Sequence, residues 1–218
     1  TINTRQTSGT CVITSTGAGT GQVTATNQGT TGAGPTVSGT LTIDSGTFYS
    51  QKYFVNNGTV NINGGTLKSV NELLNGFNTA NAVVNLNSGS IINGNNGTIS
   101  FGNSACTYRF NGGTVTTWNF KHRTGGADLA ANLYFNGVTV KPTQDTTAFL
   151  PSGAAFSANQ NAWISTDGVT VDNNSHDITI AGPLQHDTTL GGTVDGGLTV
   201  SGNAANVITL TGVNNYTG

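Results

Sequence analysis

The feature of this chain that most limits how it can fold is a repeated block of alternating apolar and polar residues. Residues 39–48 read Gly-Thr-Leu-Thr-Ile-Asp-Ser-Gly-Thr-Phe, and residues 58–67 read Gly-Thr-Val-Asn-Ile-Asn-Gly-Gly-Thr-Leu. The same pattern fits Ala82–Ile91, Tyr108–Val115 and Leu133–Val140, at nearly even steps along the chain. A repeat of this kind indicates one structural unit that buries its apolar face against its neighbours.

Aligned on this pattern, each unit has apolar residues at three positions and an outward residue between the first two. Side chains alternate between the two faces of a strand, so the spacing predicts a short strand with one face inside. The outward positions hold Thr42, Asn61, Asn85, Arg109 and Tyr134. The three apolar columns are Leu41, Val60, Val84, Tyr108 and Leu133; Ile43, Ile62, Leu86, Phe110 and Phe135; and Phe48, Leu67, Ile91, Val115 and Val140.

A column of Asp and Asn residues follows the first strand of each unit, and a glycine lies two positions further on in most of them. Asx residues tolerate left-handed backbone and bond to their own turn, and Gly adopts positive φ without steric cost, so the column predicts a corner. Stacked about 4.8 Å apart, these side chains can also bond one another along the stack. The predicted corner ladder contains Asp44, Asn63, Asn87, Asn111, Asn136 and, in a later unit, Asp167.

Composition decides between fold classes. The 218 residues include 38 Thr, 32 Gly and 28 Asn, and all three residue types form helices poorly. Strands without helices, recurring about every 20–25 residues, predict an all-β fold, a right-handed parallel β-helix (solenoid). The alternative is an antiparallel sandwich or jelly roll, whose strands also recur but whose residue types need not match in columns.

The repeat divides the chain into an N-terminal segment and a run of coils. Residues 1–38, with weak strand patterns at Cys11–Thr14 and Gln22–Thr26, are predicted to form either a Thr/Gly-rich arm or a first irregular coil. Residues 39–218 are predicted to form the β-helix coils, with a long loop at about 141–162. The pattern after this loop predicts a resumed register from Ile164 to Val171, then strands at Ile178–Ile180, Leu198–Val200 and Ile208–Leu210.

Charged residues are scarce and scattered singly. They make up 7% of the chain and give a formal net charge of −2. Because no basic stripe is present to follow phosphates, nucleic acid is excluded as a partner. No run of 18 apolar residues is present, so no membrane span is expected. The chain contains no Met, so Thr1 is expected to follow a removed leader, which indicates secretion, or to begin a piece of a longer protein.

Two cysteines, Cys11 and Cys106, are compatible with one disulfide in an exported chain. Such a bridge would tie the N-terminal segment to a coil. The alternative is a pair of unbridged thiols in the core.

The densest group of titratable residues lies between 167 and 187. β-Helix polysaccharide lyases and hydrolases use acidic clusters, but Asp167 is explained as a corner and the segment 172–175 as a turn, so no catalytic residue is assigned. No metal-ligand spacing or cofactor motif is present, and neither a metal nor a cofactor is expected. The group consists of Asp167, Asp172, His176, Asp177, His186 and Asp187.

Three further motifs have both a binding and a plain structural interpretation. The basic triplet Lys121-His122-Arg123 follows Trp118-Asn119-Phe120, and it either grips an acidic glycan or forms a solvated loop. Tyr49, Tyr53 and Phe54 around Lys52 either stack on sugars or close one side of the tube. Four Asn-X-Ser/Thr sequons are possible glycosylation sites if the host has the machinery, although several such sequons arise by composition alone in a chain so rich in Asn and Thr. They lie at Asn57, Asn96, Asn173 and Asn215.

The end of the sequence carries a family resemblance. Residues 197–202 read Gly-Leu-Thr-Val-Ser-Gly, and residues 207–218 read Val-Ile-Thr-Leu-Thr-Gly-Val-Asn-Asn-Tyr-Thr-Gly. This short segment resembles the autotransporter-associated β-strand repeat of bacterial passenger regions, although Val200 stands where that family commonly has Lys. The resemblance implies a bacterial exported parallel β-helix and brings no catalytic residue.

These observations favour an extracellular structural or adhesive protein of a bacterial cell surface. Its uncharged Thr/Asn surface is expected to face surface carbohydrate, another cell or copies of itself. Charged residues and prolines protect open strand edges, but residues 1–38 contain only one charged residue, Arg5, and one proline, Pro35. Residues 196–218 contain neither, so neither segment protects an open strand edge. This predicts end-to-end association into a filament, and the competing explanation is that capping coils exist in a longer parent chain. The alternative function is a polysaccharide-active lyase or hydrolase, which would need two acids and a base in one groove.

Overall fold

The alternating segments form short strands that lie parallel in stacked sheets. The computed structural model describes residues 6–7, 10–13, 22–25, 34–123, 130–152 and 160–218, the first three segments through their backbone alone. Within these residues the only helix is one 3₁₀ turn at Thr188–Leu190, so the described part of the chain is all-β.

The strand bounds follow the predicted alternation closely. In chain order the first strands are β1 (Gln6–Thr7), β2 (Thr10–Ile13), β3 (Gln22–Ala25), β4 (Thr36–Val37), β5 (Thr40–Ile43), β6 (Thr47–Ser50), β7 (Tyr53–Asn56), β8 (Thr59–Ile62), β9 (Thr66–Ser69), β10 (Glu72–Asn75), β11 (Ala82–Leu86), β12 (Ser90–Asn93) and β13 (Thr98–Phe101). The later strands are β14 (Cys106–Phe110), β15 (Thr114–Thr117), β16 (Asn119–His122), β17 (Ala131–Phe135), β18 (Val138–Pro142), β19 (Thr146–Leu150), β20 (Gln160–Ile164), β21 (Val169–Asp172), β22 (Ile178–Ile180), β23 (Leu184–His186), β24 (Leu198–Ser201) and β25 (Ile208–Leu210).

The hydrogen-bonded strand pairs are parallel and join strands that are three apart in chain order. Sheet 1 contains β1, β4, β7, β10, β13 and β16; sheet 2 contains β2, β5, β8, β11, β14, β17, β20 and β23; sheet 3 contains β3, β6, β9, β12, β15, β18, β21 and β24; and sheet 4 contains β19, β22 and β25. The chain therefore adds one strand to each of three sheets in turn. Every third strand returns to the same sheet, one strand position further along the stack. This arrangement is consistent with a parallel β-helix, and the parallel pairing contradicts the antiparallel alternative.

The three predicted apolar columns line the interior. Strand register aligns their members and extends the first column through Ala162 and Leu184. The predicted resumption of the pattern is confirmed, because Ile164 pairs with Phe135 and Val171 pairs with Val140. These side chains are buried. Burying one such side chain contributes about 1.5–3 kcal/mol, so the columns are the main source of stability.

A fourth apolar column, which the repeat did not reveal, closes the third side of the tube. It lies on sheet 1 and its members are aligned by strand register and fully buried. The Phe120 ring at its end packs edge-on against Phe149 of β19, with centroids 5.6 Å apart. The column consists of Phe54, Leu73, Ile99 and Phe120.

The described part of the segment at about 141–162, predicted as one long loop, is instead largely strand. β18 extends into it, β19 lies within it and β20 begins before its end. Phe149 and Leu150 of β19 are buried, and burial of this apolar pair stabilises the packing of the segment on the core. Residues 153–159 lie outside the described part of the chain.

The N-terminal segment provides the first strand of three sheets. β1 pairs with β4, β2 with β5 and β3 with β6, each in parallel. The other residues of the range 1–33 lie outside the described part of the chain.

The predicted corner residues form hydrogen-bonded side-chain ladders. Asn63 Nδ2 donates to Asp44 Oδ1 at 2.8 Å, Asn87 donates to Asn63 at 2.9 Å, and Asn111 donates to Asn87 at 2.9 Å. Further along, Asn136 Oδ1 accepts from the backbone N–H of Asp167 at 2.9 Å. The described hydrogen bonds do not join Asn111 to Asn136, so the ladder has two parts.

A buried amide ladder at another corner was not predicted. Asn56 Nδ2 donates to Asn75 Oδ1 at 2.8 Å, and both side chains are fully buried. Asn75 also donates to the carbonyl oxygens of Ala82 and Thr107. The sequence held a signal for this pair, because the same step along the chain separates Asn56 from Asn75 and Ile43 from Ile62.

Candidate functional site

An open groove lies on sheet 4, beside the end of sheet 1. β19 packs against β16 but is not hydrogen-bonded to it, so a new sheet begins at this point. A groove of about 580 Å³ opens between sheet 4 and the residue that precedes β16. We call it the sheet 4 groove; its polar and aromatic lining includes Trp118, Asp145, Thr147, Asp177, Thr179 and Thr209.

Two carboxylates in this groove are fixed by neighbouring donors. Asp145 Oδ1 accepts from the backbone N–H of Asp177 at 3.1 Å and lies 3.1 Å from His176 Nδ1. Asp177 Oδ1 accepts from the backbone N–H of Val207 at 2.8 Å and from Asn206 Nδ2 at 3.1 Å. Within the described residues, Oδ2 of each carboxylate has no hydrogen-bond partner. These two oxygens can therefore accept hydrogen bonds from a ligand.

The lowered pKa of Asp177 suits ligand binding better than acid catalysis. The backbone N–H of Val207, followed by the amide of Asn206, lowers the pKa of Asp177 below its ordinary value. A glycosidase general acid needs the opposite shift, because it must hold a proton near neutral pH. Asp177 is suited to accept hydrogen bonds from hydroxyl groups.

Trp118 gives the groove an aromatic wall. Its indole Nε1 is buried and has no hydrogen-bond acceptor in the described part of the chain. Lys and Arg are missing from the described lining of the groove. The groove thus combines one aromatic ring, a row of hydroxyl groups and two carboxylates.

The predicted titratable group between 167 and 187 does not converge on one site. Asp172 lies 2.7 Å from Lys141 Nζ, and this hydrogen bond lowers the pKa of Asp172. Asp187 accepts from Ser165 Oγ at 2.5 Å. Burial would raise the pKa of Asp187, but the hydrogen bond from Ser165 and those from Thr189 outweigh it and lower the pKa. Only His176 and Asp177 of this group lie at the sheet 4 groove, where Asp145 joins them.

His186 and Asp195 form a second polar cluster, which holds the C-terminal residues. His186 Nδ1 lies 2.7 Å from Asp195 Oδ2, and Asp195 accepts from the backbone N–H groups of Gly197, Thr217 and Gly218 at 2.9–3.0 Å. Burial would raise the pKa of Asp195, but the donors from His186 and the backbone lower it to about 2. The hydrogen bond to Asp195 also raises the pKa of His186. His186 Nε2 lies 3.3 Å from the backbone carbonyl oxygen of Gly191, and Thr217 Oγ1 lies 3.4 Å from His186 Nδ1, so both ring nitrogens contact groups of this cluster.

The basic triplet lines a smaller pocket of about 320 Å³. Lys121 Nζ lies 3.8 Å from Oε1 of the buried Glu72. The guanidinium of Arg123 lies 4.7 Å from the ring centre of Phe77. Residues 124–129, which follow the triplet, lie outside the described part of the chain. The described lining, of mixed charge, consists of Tyr53, Glu72, Lys121, His122 and Arg123.

The aromatic group near Lys52 divides between core and surface. Phe54 is fully buried, which fits its structural interpretation. Lys52 Nζ lies 5.6 Å from the ring centre of Tyr53, and Lys68 Nζ lies 5.4 Å from that of Tyr49. The two tyrosines are therefore paired with cations.

Sheet 2 carries an outward stack that was not predicted. The Arg109 guanidinium lies 4.8 Å from the Tyr134 ring centre, and the rings of Tyr134 and Trp163 are stacked with centroids 6.5 Å apart. Trp163 Nε1 donates to Asn132 Oδ1 at 3.1 Å. Because these groups cover one another's faces, the stack is a poor platform for a flat ligand.

The four sequons differ in accessibility. Asn96 and Asn215 are exposed, and Asn57 is half-buried. Asn173 is buried, and its Nδ2 donates to the carbonyl oxygens of Asn203 and Asn206. In the folded chain the amide nitrogen of Asn173 is therefore already used inside the protein.

The structure does not show the predicted Cys11–Cys106 disulfide. Cys106 is a free, buried thiol, and burial raises its pKa to about 12. The backbone of Cys11 lies in β2, four strand positions from β14 in sheet 2, which is about 19 Å at the usual strand spacing. A disulfide needs Cα atoms within about 7 Å. The side chain of Cys11 lies outside the described residues.

The described part of the chain contains neither a metal-binding cluster nor a membrane-spanning helix. Across the ranges that the structure describes, there is no group of three or more His, Cys, Asp or Glu residues placed to hold a metal ion. Those ranges also contain no helix that is long and apolar enough to cross a membrane. No known protein family, curated protein or solved structure matches the chain.

Proposed function

We propose that the chain is a right-handed parallel β-helix that serves as an extracellular structural or adhesive protein of a bacterial surface. The ordered return to three sheets and the register-aligned columns support the solenoid. Connections between parallel strands are right-handed in about 98% of cases, which supports the handedness. The uncharged, Thr- and Asn-rich composition and the resemblance at 197–218 support the surface location.

The observation that carries a structural role is the open apolar end of the strand stack. Val200 of β24 continues the third apolar column, but 57% of it is exposed, whereas Val171 is 2% exposed. Leu210 of β25 is 38% exposed. In the described structure no strand covers this end, so it offers both apolar side chains and an unpaired strand edge.

A second copy of the chain is the partner we propose for this end. β24 is the last strand of sheet 3 and β3 is the first, so β3 of a second copy placed end-on can extend the sheet in the same parallel sense. Such a contact joins two different surfaces and does not close on itself. Repetition of the contact gives a filament.

Sedimentation velocity over a wide range of protein concentration tests this role. The native chain is expected to gain mass with concentration, and Val200→Lys combined with Leu210→Lys is expected to keep it monomeric, because the charges meet an apolar surface. Val70→Lys is the matched control, since Val70 is also exposed but lies near a corner between β9 and β10. A native chain that remains monomeric, or equal association of both variants, contradicts the proposal.

We also propose that this role is not enzymatic. The groove brings Asp145, Asp177 and His176 together, as a polysaccharide-active enzyme requires, but the hydrogen bonds that Asp177 accepts lower its pKa, whereas a general acid needs a raised pKa. Incubation with neutral, pectin-like and alginate-like polymers is expected to produce neither new reducing ends nor unsaturated products. Release of either by the native chain, abolished by Asp145→Asn, contradicts this part of the proposal.

A further inference from the structure

We propose that the sheet 4 groove binds an uncharged oligosaccharide chain. The inference rests on the adhesive role proposed above and gives it a site and a ligand class. The volume of about 580 Å³ falls within the range of ligand sites, which is about 300–1,000 Å³.

The carboxylates of the groove are placed to accept hydrogen bonds from sugar hydroxyls. Oδ1 of both Asp145 and Asp177 is held by protein donors, which fixes each side chain. Oδ2 of each is left to accept from a ligand, and hydrogen bonds to an ionised carboxylate are stronger than neutral ones. Since the pKa of Asp177 is lowered, this acceptor persists at neutral pH.

The hydroxyl groups of the groove follow the strand spacing. Thr179 of β22 pairs in register with Thr209 of β25, so their side chains repeat at about 4.8 Å. Thr147 of β19 adds a third hydroxyl to the lining. Each hydroxyl both donates and accepts, which suits a ligand that carries hydroxyl groups along its length.

The remaining lining argues for a neutral ligand. The Trp118 ring offers apolar surface for the C–H face of a sugar ring. Because two carboxylates line the groove and no Lys or Arg is among its described lining residues, an acidic polymer would be repelled. The hydrogen bonds that each carboxylate accepts at Oδ1 stabilise its charge without a cationic ligand.

A glycan array followed by NMR titration of the strongest binder tests the inference on the native chain. The expected result is binding of uncharged glycans, with a shift of the Trp118 indole N–H signal and no shift of the Trp163 signal, the two being assigned with Trp163→Phe. Binding of acidic glycans only, of amino-sugar glycans only, or of no glycan overturns the inference. A shift confined to Trp163 also overturns it.

Two paired valine substitutions locate the site. Thr179→Val with Thr209→Val removes both hydroxyls at nearly constant volume and is expected to weaken binding at least about tenfold. Thr170→Val with Thr199→Val is the matched control, because these residues pair in register on sheet 3, away from the groove, and it should bind as the native chain does. Equal losses in the two variants contradict the assignment.

The outcomes separate this inference from the proposed assembly. The end variant with Val200→Lys and Leu210→Lys is expected to bind glycan normally, since neither residue lines the groove. Association without glycan binding defeats only the groove assignment. Glycan binding by a chain that remains monomeric defeats only the filament.

Discussion

Asn56 and Asn75 share a hydrogen bond of 2.8 Å between Nδ2 and Oδ1 at a corner where neither side chain reaches solvent. Asn56 also donates to the carbonyl oxygens of Gly58 and Val83. The two side-chain amides therefore donate hydrogen bonds to backbone carbonyl groups of three successive coils. Buried polar groups with complete hydrogen bonding fix the position of neighbouring elements, whereas unpaired ones are costly.

Asn75→Ala is expected to lower the free energy of unfolding by about 2–4 kcal/mol, because it leaves buried partners in Asn56, Ala82 and Thr107 unsatisfied. Asn87→Ala in the exposed corner ladder is the control, and its loss should stay below about 1 kcal/mol, since water replaces the missing amide. Denaturant unfolding of both variants measures the difference. Equal losses would show that burial of the ladder contributes nothing.

Ile62→Asp is expected to prevent folding. Ile62 lies fully buried between Ile43 and Leu86, where an unpaired carboxylate costs several kcal/mol. Asn61→Asp changes the adjacent outward residue and keeps an oxygen that accepts from Asn85, so its melting temperature should stay near the native value. Similar melting temperatures for the two variants would contradict the assignment of inward and outward faces.

Much of the fold was predictable because the repeat places equal residue types at equal positions on sheets 2 and 3. Sheet 1 escaped prediction, since the step from Leu73 to Ile99 is longer than the step on either side of it and no constant spacing marks the column. β19 was mistaken for loop because Pro and small residues surround it. The repeat does not fix the lengths of the connections, and so it does not fix these strands.

The site was less predictable than the fold. The groove depends on a break between β16 and β19, which is a property of packing and leaves no sequence motif. Asp145 joins Asp177 from 32 positions away, and it gave no signal in the sequence. The sequence could not position the two cysteines, because an even number of cysteines says nothing about their distance along the stack.

The C-terminal cluster should respond to pH in two directions. The folded pKa of Asp195 is about 2, below its ordinary 3.8, so its contribution to stability is present above pH 3.8 and is lost as the pH falls toward 2. The folded pKa of His186 is raised above 6.5, so its contribution is complete below pH 6.5 and is lost as the pH rises through the raised value. We expect the amides of Thr217 and Gly218 to be best protected from hydrogen exchange between these limits.

Asp195→Asn tests that assignment, because it removes the charge that both His186 and the backbone amides bind. In the variant, the amide hydrogens of Thr217 and Gly218 should exchange with solvent faster than in the native chain. Their protection should also no longer be greatest within a limited pH range. Protection that is independent of pH in the native chain, after correction for intrinsic exchange, would contradict the cluster's role.

Cys106 should be unreactive in the folded chain. With a pKa of about 12, roughly one thiol in ten thousand is ionised at pH 8, and the sulfur is also buried. In a Cys11→Ser variant, a thiol reagent should therefore label nothing in native conditions and one site after unfolding. Rapid native labelling would contradict the buried placement of Cys106. A native chain that gains two mass units on reduction would show an internal disulfide.

Electron microscopy with helical reconstruction of concentrated protein measures the central claim most directly. Sheet 3 has eight described strands, so copies joined end to end should repeat at about 38 Å along an axis with a continuous strand spacing near 4.8 Å. Filaments with that repeat, absent when Val200 and Leu210 are replaced by Lys, are the predicted result. Single unassociated particles at every concentration, or filaments whose strands do not stack along the axis, would contradict the account.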